Sequence, residues 1–141
     1  MIIRSELKED YDSIYQLNVL AFNNRADEAD LVDRIRRSDG FIPTLSLVAE
    51  LNGQIVGHIL LSKIEIFNDH NVTLALALAP MAVISEVQNK GIGTSLVREG
   101  LNRCLGLGHK IVVVIGHPWF YPKFVFKSAR DYGLECHQYK V

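Results

Sequence analysis

Two glycines separated by one residue, at the point where a helical pattern begins, are the residues of this chain best suited to holding an anion. They lie in the run Gln88-Asn89-Lys90-Gly91-Ile92-Gly93-Thr94. Glycine lets backbone N–H groups come close to a ligand. The first turn of a helix leaves its N–H groups unpaired and adds partial positive charge. Together these favour phosphate. Two familiar phosphate loops do not match. A P-loop needs a Lys-Ser/Thr pair after its second glycine, and Thr94 and Ser95 follow Gly93 here. The dinucleotide fingerprint needs a third glycine, where Leu96 stands. Metal chemistry has no comparable signal. His58, His70, His109, His117 and His137 show no zinc-ligand spacing with one another or with Cys104 and Cys136. Cys104 falls on the apolar side of the predicted helix and reads as core, with no base nearby to activate it.

A strand must lead into that loop and a helix must follow it. Val72 to Ile84 is the strand: Leu74, Leu76 and Leu78 alternate with Ala75, Ala77 and Ala79. Large and small apolar residues with a period of two mean that both faces are covered and that one is closely approached. Pro80 cannot donate a ladder hydrogen bond, so it marks an edge, a bulge or the place where pairing stops. The helix runs from about Ile92 to Leu105, and Gly106-Leu107-Gly108 ends it. Upstream, Met1–Arg4 reads as a strand. Asp10–Phe22 and Asp27–Arg37 read as amphipathic helices, and the second has acids at its start and arginines at its end, which suits the helix dipole. Leu45–Leu51 and Gln54–Phe67 read as strands joined by Asn52-Gly53, a strong hairpin signal. Asn68–Asn71 forms the next turn. Lys110–Ile115 is a buried strand. An aromatic segment, Trp119 to Phe126, follows, and Asp131–Val141 has the pattern of a further strand. The whole predicts a mixed α/β (α+β) fold: an antiparallel meander, then a strand–loop–helix–strand unit.

Composition fits that reading. The chain has 141 residues, 48% of them hydrophobic and 22% charged, with a formal net charge of -1. One domain over 1–141 is expected, with enough chain to bury a sizeable core. Near-neutral charge argues against nucleic acid as a partner. No signal-peptide pattern opens the chain, and its longest apolar stretch is too short to span a bilayer. The expected setting is cytoplasmic, with both cysteines reduced.

Gln88, Gly91 and Gly93 resemble, position for position, the Gln/Arg-x-x-Gly-x-Gly/Ala pyrophosphate loop of the GNAT superfamily of N-acetyltransferases. The strand Leu78-Ala79-Pro80-Met81-Ala82-Val83 looks like that family's cofactor strand. Val113–Pro118 followed by Tyr121–Phe126 is similar to the ending of one bacterial branch, with its Gly-Asp-Pro, Tyr-Tyr and Arg-Phe-Gly-Phe run. Three features depart from that branch: Phe120 and Pro122 flank Tyr121, Val125 separates the two phenylalanines, and the family's last C-terminal strand is expected to be absent. The resemblance covers nearly the whole chain and implies the GNAT fold, a central mixed sheet flanked by helices.

It also implies direct attack of a primary amine on the thioester of acetyl-CoA, the cosubstrate, without a metal. Asn89, Lys90, Gly91, Ile92, Gly93 and Thr94 would anchor the cofactor, largely through backbone N–H groups, with Gln88 closing the loop. Met81, Ala82 and Val83 would face the pantetheine arm. Tyr121 would protonate the leaving thiolate. For the base, Glu65, His117, His58 and Glu28 remain open. The acceptor would be a small-molecule or peptide amine, and a homodimer is expected by analogy and from an incomplete sheet edge. A non-catalytic CoA-binding module is the rival reading.

Overall fold

The computed structural model describes residues 1–114. Five strands form one sheet, ordered as in the chain: β1 (Ile2–Ser5), β2 (Ser46–Leu51), β3 (Gln54–Asn68), β4 (Asn71–Val83) and β5 (Val112–Val114). Neighbours from β1 to β4 are antiparallel, whereas β5 is parallel to β4. Helices α1 (Tyr11–Ala21) and α2 (Asp27–Arg36) lie between β1 and β2, and α3 (Ile92–Gly106) carries the crossover from β4 to β5. The expected meander and crossover unit are both present.

Local chemistry explains the joints. Asn52 and Gly53 both have positive φ, 52° and 79°, as a two-residue type I′ turn requires. The β3–β4 turn is tighter than expected, because Asn68 pairs with Asn71 and leaves only Asp69 and His70 between the strands. The first helix starts later than expected. The Asp10 carboxylate accepts the Leu7 N–H at 2.7 Å and holds a 3-10 turn at Lys8–Asp10 before α1 begins. Arg4 donates to both Asp10 oxygens at 2.7 and 3.1 Å, and this holds the carboxyl below its ordinary range.

The two faces of the sheet are covered differently. On one, α3 buries Leu47, Ala49, Ile59, Leu61, Leu76 and Leu78 beneath Ile92, Leu96, Val97 and Cys104. The approach is close: a Cβ on Gly57 would lie 2.9 Å from Leu96 Cδ1, and one on Gly100 2.9 Å from Leu61 Cδ1. Cys104 is in this core, and burial pushes its thiol up to about 11. On the other face Ile14 of α1 and Val32 of α2 pack on Val48 and Leu60. The alternation in β4 sorts accordingly, with Leu76 and Leu78 under α3 and the buried Ala75 and Ala77 pointing the other way, where α1 meets β4.

Pro80 sits in a bulge. Leu78 is opposite Leu61 and Met81 opposite Ile59, so Ala79 and Pro80 share the interval that Leu60 fills alone on β3. The aromatic segment, the strand over Asp131–Val141 and the absence of the family's last strand lie outside the described residues.

Candidate functional site

From Leu76 to Leu78, β4 has two strand neighbours. Leu76, Ala77 and Leu78 pair with Val112, Val113 and Val114 of β5. Past the bulge, Met81, Ala82 and Val83 pair with Ile59, His58 and Gly57 of β3, and their other edge has no strand partner among the described residues. That edge presents backbone donors and acceptors to whatever lies beside it.

The loop after this edge is tied back to it. Ile84 N–H donates to the Val56 carbonyl at 3.0 Å, and Gln88 Nε2 donates to the Val83 carbonyl at 3.0 Å. Asn89 and Gly91 then adopt left-handed φ values of 65° and 82°, and this reverses the chain into α3. Gly91 is the N-cap, with no side-chain cap of its own. The first helical bond runs from Ser95 N–H to the Gly91 carbonyl at 3.0 Å, so the N–H groups before it point along the axis from the helix end. Ile92 is buried against Gly57, and this seats the helix start on the sheet. Asn89, Lys90 and Gly91 are exposed, and Gly93 and Thr94 are half-buried. The edge at Met81–Val83, unpaired among the described residues, therefore leads directly into a positive helix end, with a lysine beside it. This geometry can hold an extended, amide-bearing arm that ends in phosphate.

The base candidates are scattered. Glu65 is exposed on β3 opposite Leu74. It stands six residues along β3 from Ile59, the partner of Met81, or about 20 Å at the rise of an extended strand. The structure therefore does not bring Glu65 to the open edge. His58 is fully buried, and burial together with the positive Arg36 depresses it to about 3. Both its nitrogens are engaged, Nδ1 at 3.4 Å from Asn18 Nδ2 and Nε2 at 3.1 Å from Ser46 Oγ. It is neutral and sealed from solvent, and this rules it out as a base for a free amine. Glu28 is half-buried, with Oε1 accepting from Arg25 at 3.3 Å. Tyr121 and His117 lie outside the described residues.

One polar constellation had no signal in sequence spacing. Arg36 donates to both oxygens of Glu6 at 2.9 Å, stacks over the Tyr11 ring at 3.8 Å and also bonds Asp33. Ser46 Oγ lies 2.6 Å from Glu6 Oε1, and His58 and Asn18 continue the chain. The Glu6 side chain is only 3% exposed. The sole sequence clue is His58 itself, an inward position of β3 between Val56 and Leu60. Among the described residues no cluster of His, Cys, Asp or Glu could hold a metal, and no helix is long and apolar enough to cross a membrane.

A mixed sheet whose fourth strand bulges at Pro80 and runs into a glycine-led helix start, with no strand beside Met81–Val83 among the described residues, fits an acyl-transferring class of protein. The chain belongs to the Acetyltransferase (GNAT) family, whose profile matches residues 6–118. It is 36% identical over 127 residues to the uncharacterized N-acetyltransferase YjhQ of Escherichia coli K12, covering 89% of this chain and 70% of that protein. A GNAT acetyltransferase from Brucella melitensis, solved with acetyl-CoA, superposes with a TM-score of 0.77 at 32% identity, over 91% of this chain and 83% of that one. Escherichia coli YhbS, solved with CoA, gives a TM-score of 0.86 at 29% identity, over 96% and 73%.

Proposed function

We propose that this chain transfers the acetyl group of acetyl-CoA to a primary amine within a ternary complex. The observation that carries this is the edge Met81–Val83, which has no strand partner among the described residues and runs into the loop at Gly91. Similarity to the Brucella and YhbS structures, which hold acetyl-CoA and CoA, supports it. The edge fits a pantetheine arm, whose amides can bond to it as an added strand does. The helix start fits a pyrophosphate.

In this reading the backbone of Met81, Ala82 and Val83 orients the arm and polarises the thioester carbonyl. Asn89, Lys90, Gly91, Ile92, Gly93 and Thr94 receive the pyrophosphate, and Gln88 keeps the loop on β4. The amine nitrogen bonds to the acetyl carbon, the carbon–sulfur bond breaks, and the thiolate takes a proton from the Tyr121 phenol, whose ordinary pKa of about 10 keeps it protonated at neutral pH. His117 follows β5 and is the candidate to take the proton of the amine. The unit is one domain over 1–141, working in the cytoplasm as a homodimer.

A thermal-shift titration tests the reading, with acetyl-CoA against ATP and NAD as controls. Ligand at about 100 times its dissociation constant stabilises by roughly 2.7 kcal/mol, several degrees for a domain of this size. A shift with acetyl-CoA alone, lost in Gly93→Leu, is the expected result. A shift with ATP or NAD and none with acetyl-CoA overturns the reading.

A further inference from the structure

The β3–β4 hairpin outruns the sheet that carries it. β2 last meets β3 at the Ser46–Leu60 pair, and β5 first meets β4 at Leu76–Val112. From Ile64–Ala75 to Asn68–Asn71 the two strands have only each other as strand partners among the described residues. A two-stranded ribbon by itself is marginally stable in water. One face of the ribbon continues the face that α3 covers, because Leu61 and Leu76 lie under that helix and residues two apart share a face. On it Phe67 is 74% exposed, Val72 54% and Leu74 75%, and Phe67 stands opposite Val72. A contiguous strip of large apolar side chains is the mark of an interaction surface.

The two edges of the ribbon differ. On β4 the Leu76 N–H donates outward, to the Ile111 carbonyl at 2.9 Å, so Val72 and Leu74, of the same parity, also turn their backbone groups outward. On β3 the Lys63 N–H donates outward, to the Gly40 carbonyl at 2.9 Å, so Glu65 and Phe67 do likewise. The β3 edge carries the charges of Lys63 and Glu65, which discourage pairing. The β4 edge, Asn71-Val72-Thr73-Leu74-Ala75, has no charge and no proline. It lacks the usual protections of an exposed edge.

We infer that a second copy of this chain pairs with that edge, β4 against β4, antiparallel about a twofold axis through Thr73. The inference rests on the homodimer reading given above and assigns its interface. The register follows from the outward groups. Val72 of each copy bonds to Leu74 of the other. A shift toward Leu76 meets Ile111, and a shift the other way sets Leu74 against the His70 turn. Each row across the seam then runs Glu65, Leu74 and, from the partner subunit, Val72 and Phe67, and the axis repeats the row. Apolar side chains fill the centre and Glu65 stands at the rim, as in protein interfaces generally. On the opposite face Thr73 meets its own copy, a favourable cross-strand pair. An isologous contact needs one self-complementary segment, and this strand is one.

The test uses the full chain. Sedimentation velocity over a range of concentrations is expected to show a dimer. Leu74→Lys weakens self-association about a hundredfold or more, because the axis repeats the lost apolar contact. Val72→Pro, which removes an outward N–H and adds no charge, weakens it as well. Thr73→Cys, oxidised with diamide, gives a dimer linked through residue 73, since the two Cα atoms face each other at about 4.5 Å. Circular dichroism and acetyl-CoA binding are unchanged in all three variants. A dimer that survives Leu74→Lys and Val72→Pro, or that Thr73→Cys does not link, overturns this interface and leaves the homodimer reading standing. A monomer at every concentration overturns both, and Val72 and Leu74 amides protected from exchange in that monomer identify residues 115–141 as the cover instead.

Discussion

The sheet separates two coverings made of different chemistry. Beneath α3 the buried core among the described residues is an apolar cluster, and glycines at 57 and 100 let the helix sit close. Beneath α1 and α2 a small apolar cluster shares the face with Glu6, Arg36, Ser46, His58 and Asn18. The α3 side has one task in this fold, to press the Gly91 helix start against the end of β4, and close packing does that without direction. The α1–α2 side holds two short helices at a defined setting, and hydrogen bonds with fixed donors and acceptors supply the direction.

The contrast predicts that the polar side breaks hardest when one charge is removed. Arg36→Met leaves the Glu6 carboxylate buried without its cation and should cost about 3–5 kcal/mol in urea unfolding. Replacing Glu6 as well, by Leu, should restore part of that loss. Leu96→Ala on the α3 side creates a cavity and should cost about 3 kcal/mol, and no second polar substitution should rescue it.

Proton linkage gives the next largest effect. Folded His58 binds a proton only near 3, and its ordinary value is 6.5. The unfolded chain therefore takes up the proton first. The contribution is intact above about 6.5 and is lost as pH falls toward 3. Between pH 7 and pH 5 this should cost about 2 kcal/mol, read from urea midpoints, and His58→Gln should flatten the profile. Asp10, held low by Arg4, loses its contribution only below its ordinary value of 3.8 and does not move in that window. Smallest is Gly91→Ala, which puts a Cβ on a residue at φ 82° and should cost about 1 kcal/mol. On the transferase reading it should also weaken acetyl-CoA binding measured by calorimetry.

Sequence patterns carried the elements on both sides of the sheet, with Ile14, Val32 and Ile35 on the inward faces of α1 and α2, and missed the polar network beneath those two helices. Leucine–alanine alternation in β4, the Asn52-Gly53 turn and the Gln88–Gly93 loop are local signals, each set by backbone geometry within a few residues. Pro80 announced an irregularity, and the register shows it as a bulge. Positions 6, 18, 36, 46 and 58 have no common spacing. They meet only once β1, β2, β3, α1 and α2 are assembled, so no periodicity could mark them. The helix expected from Asp10 begins at Tyr11 with Asp10 as its N-cap, and the Asp10 carboxylate, held by Arg4 and the Leu7 N–H, serves the preceding turn rather than capping α1. Glu65 was chosen for its residue type, and strand length then set it far from the open edge.

The strand order has a consequence in time. β2 to β4 are neighbours in sequence and in space, so this part of the meander closes through two-residue turns, as fast-folding topologies do. The pairing of Leu78 with Val114 spans α3 and must wait for the whole crossover to be made. The helix start that follows β4 is therefore set only after the β2–β4 hairpins, in a step that, like the pairing of Ile2 with Glu50 across α1 and α2, joins residues far apart in the chain. A nascent chain released before α3 is laid down holds the β2–β4 hairpins with Leu76 and Leu78 still open to solvent and to aggregation.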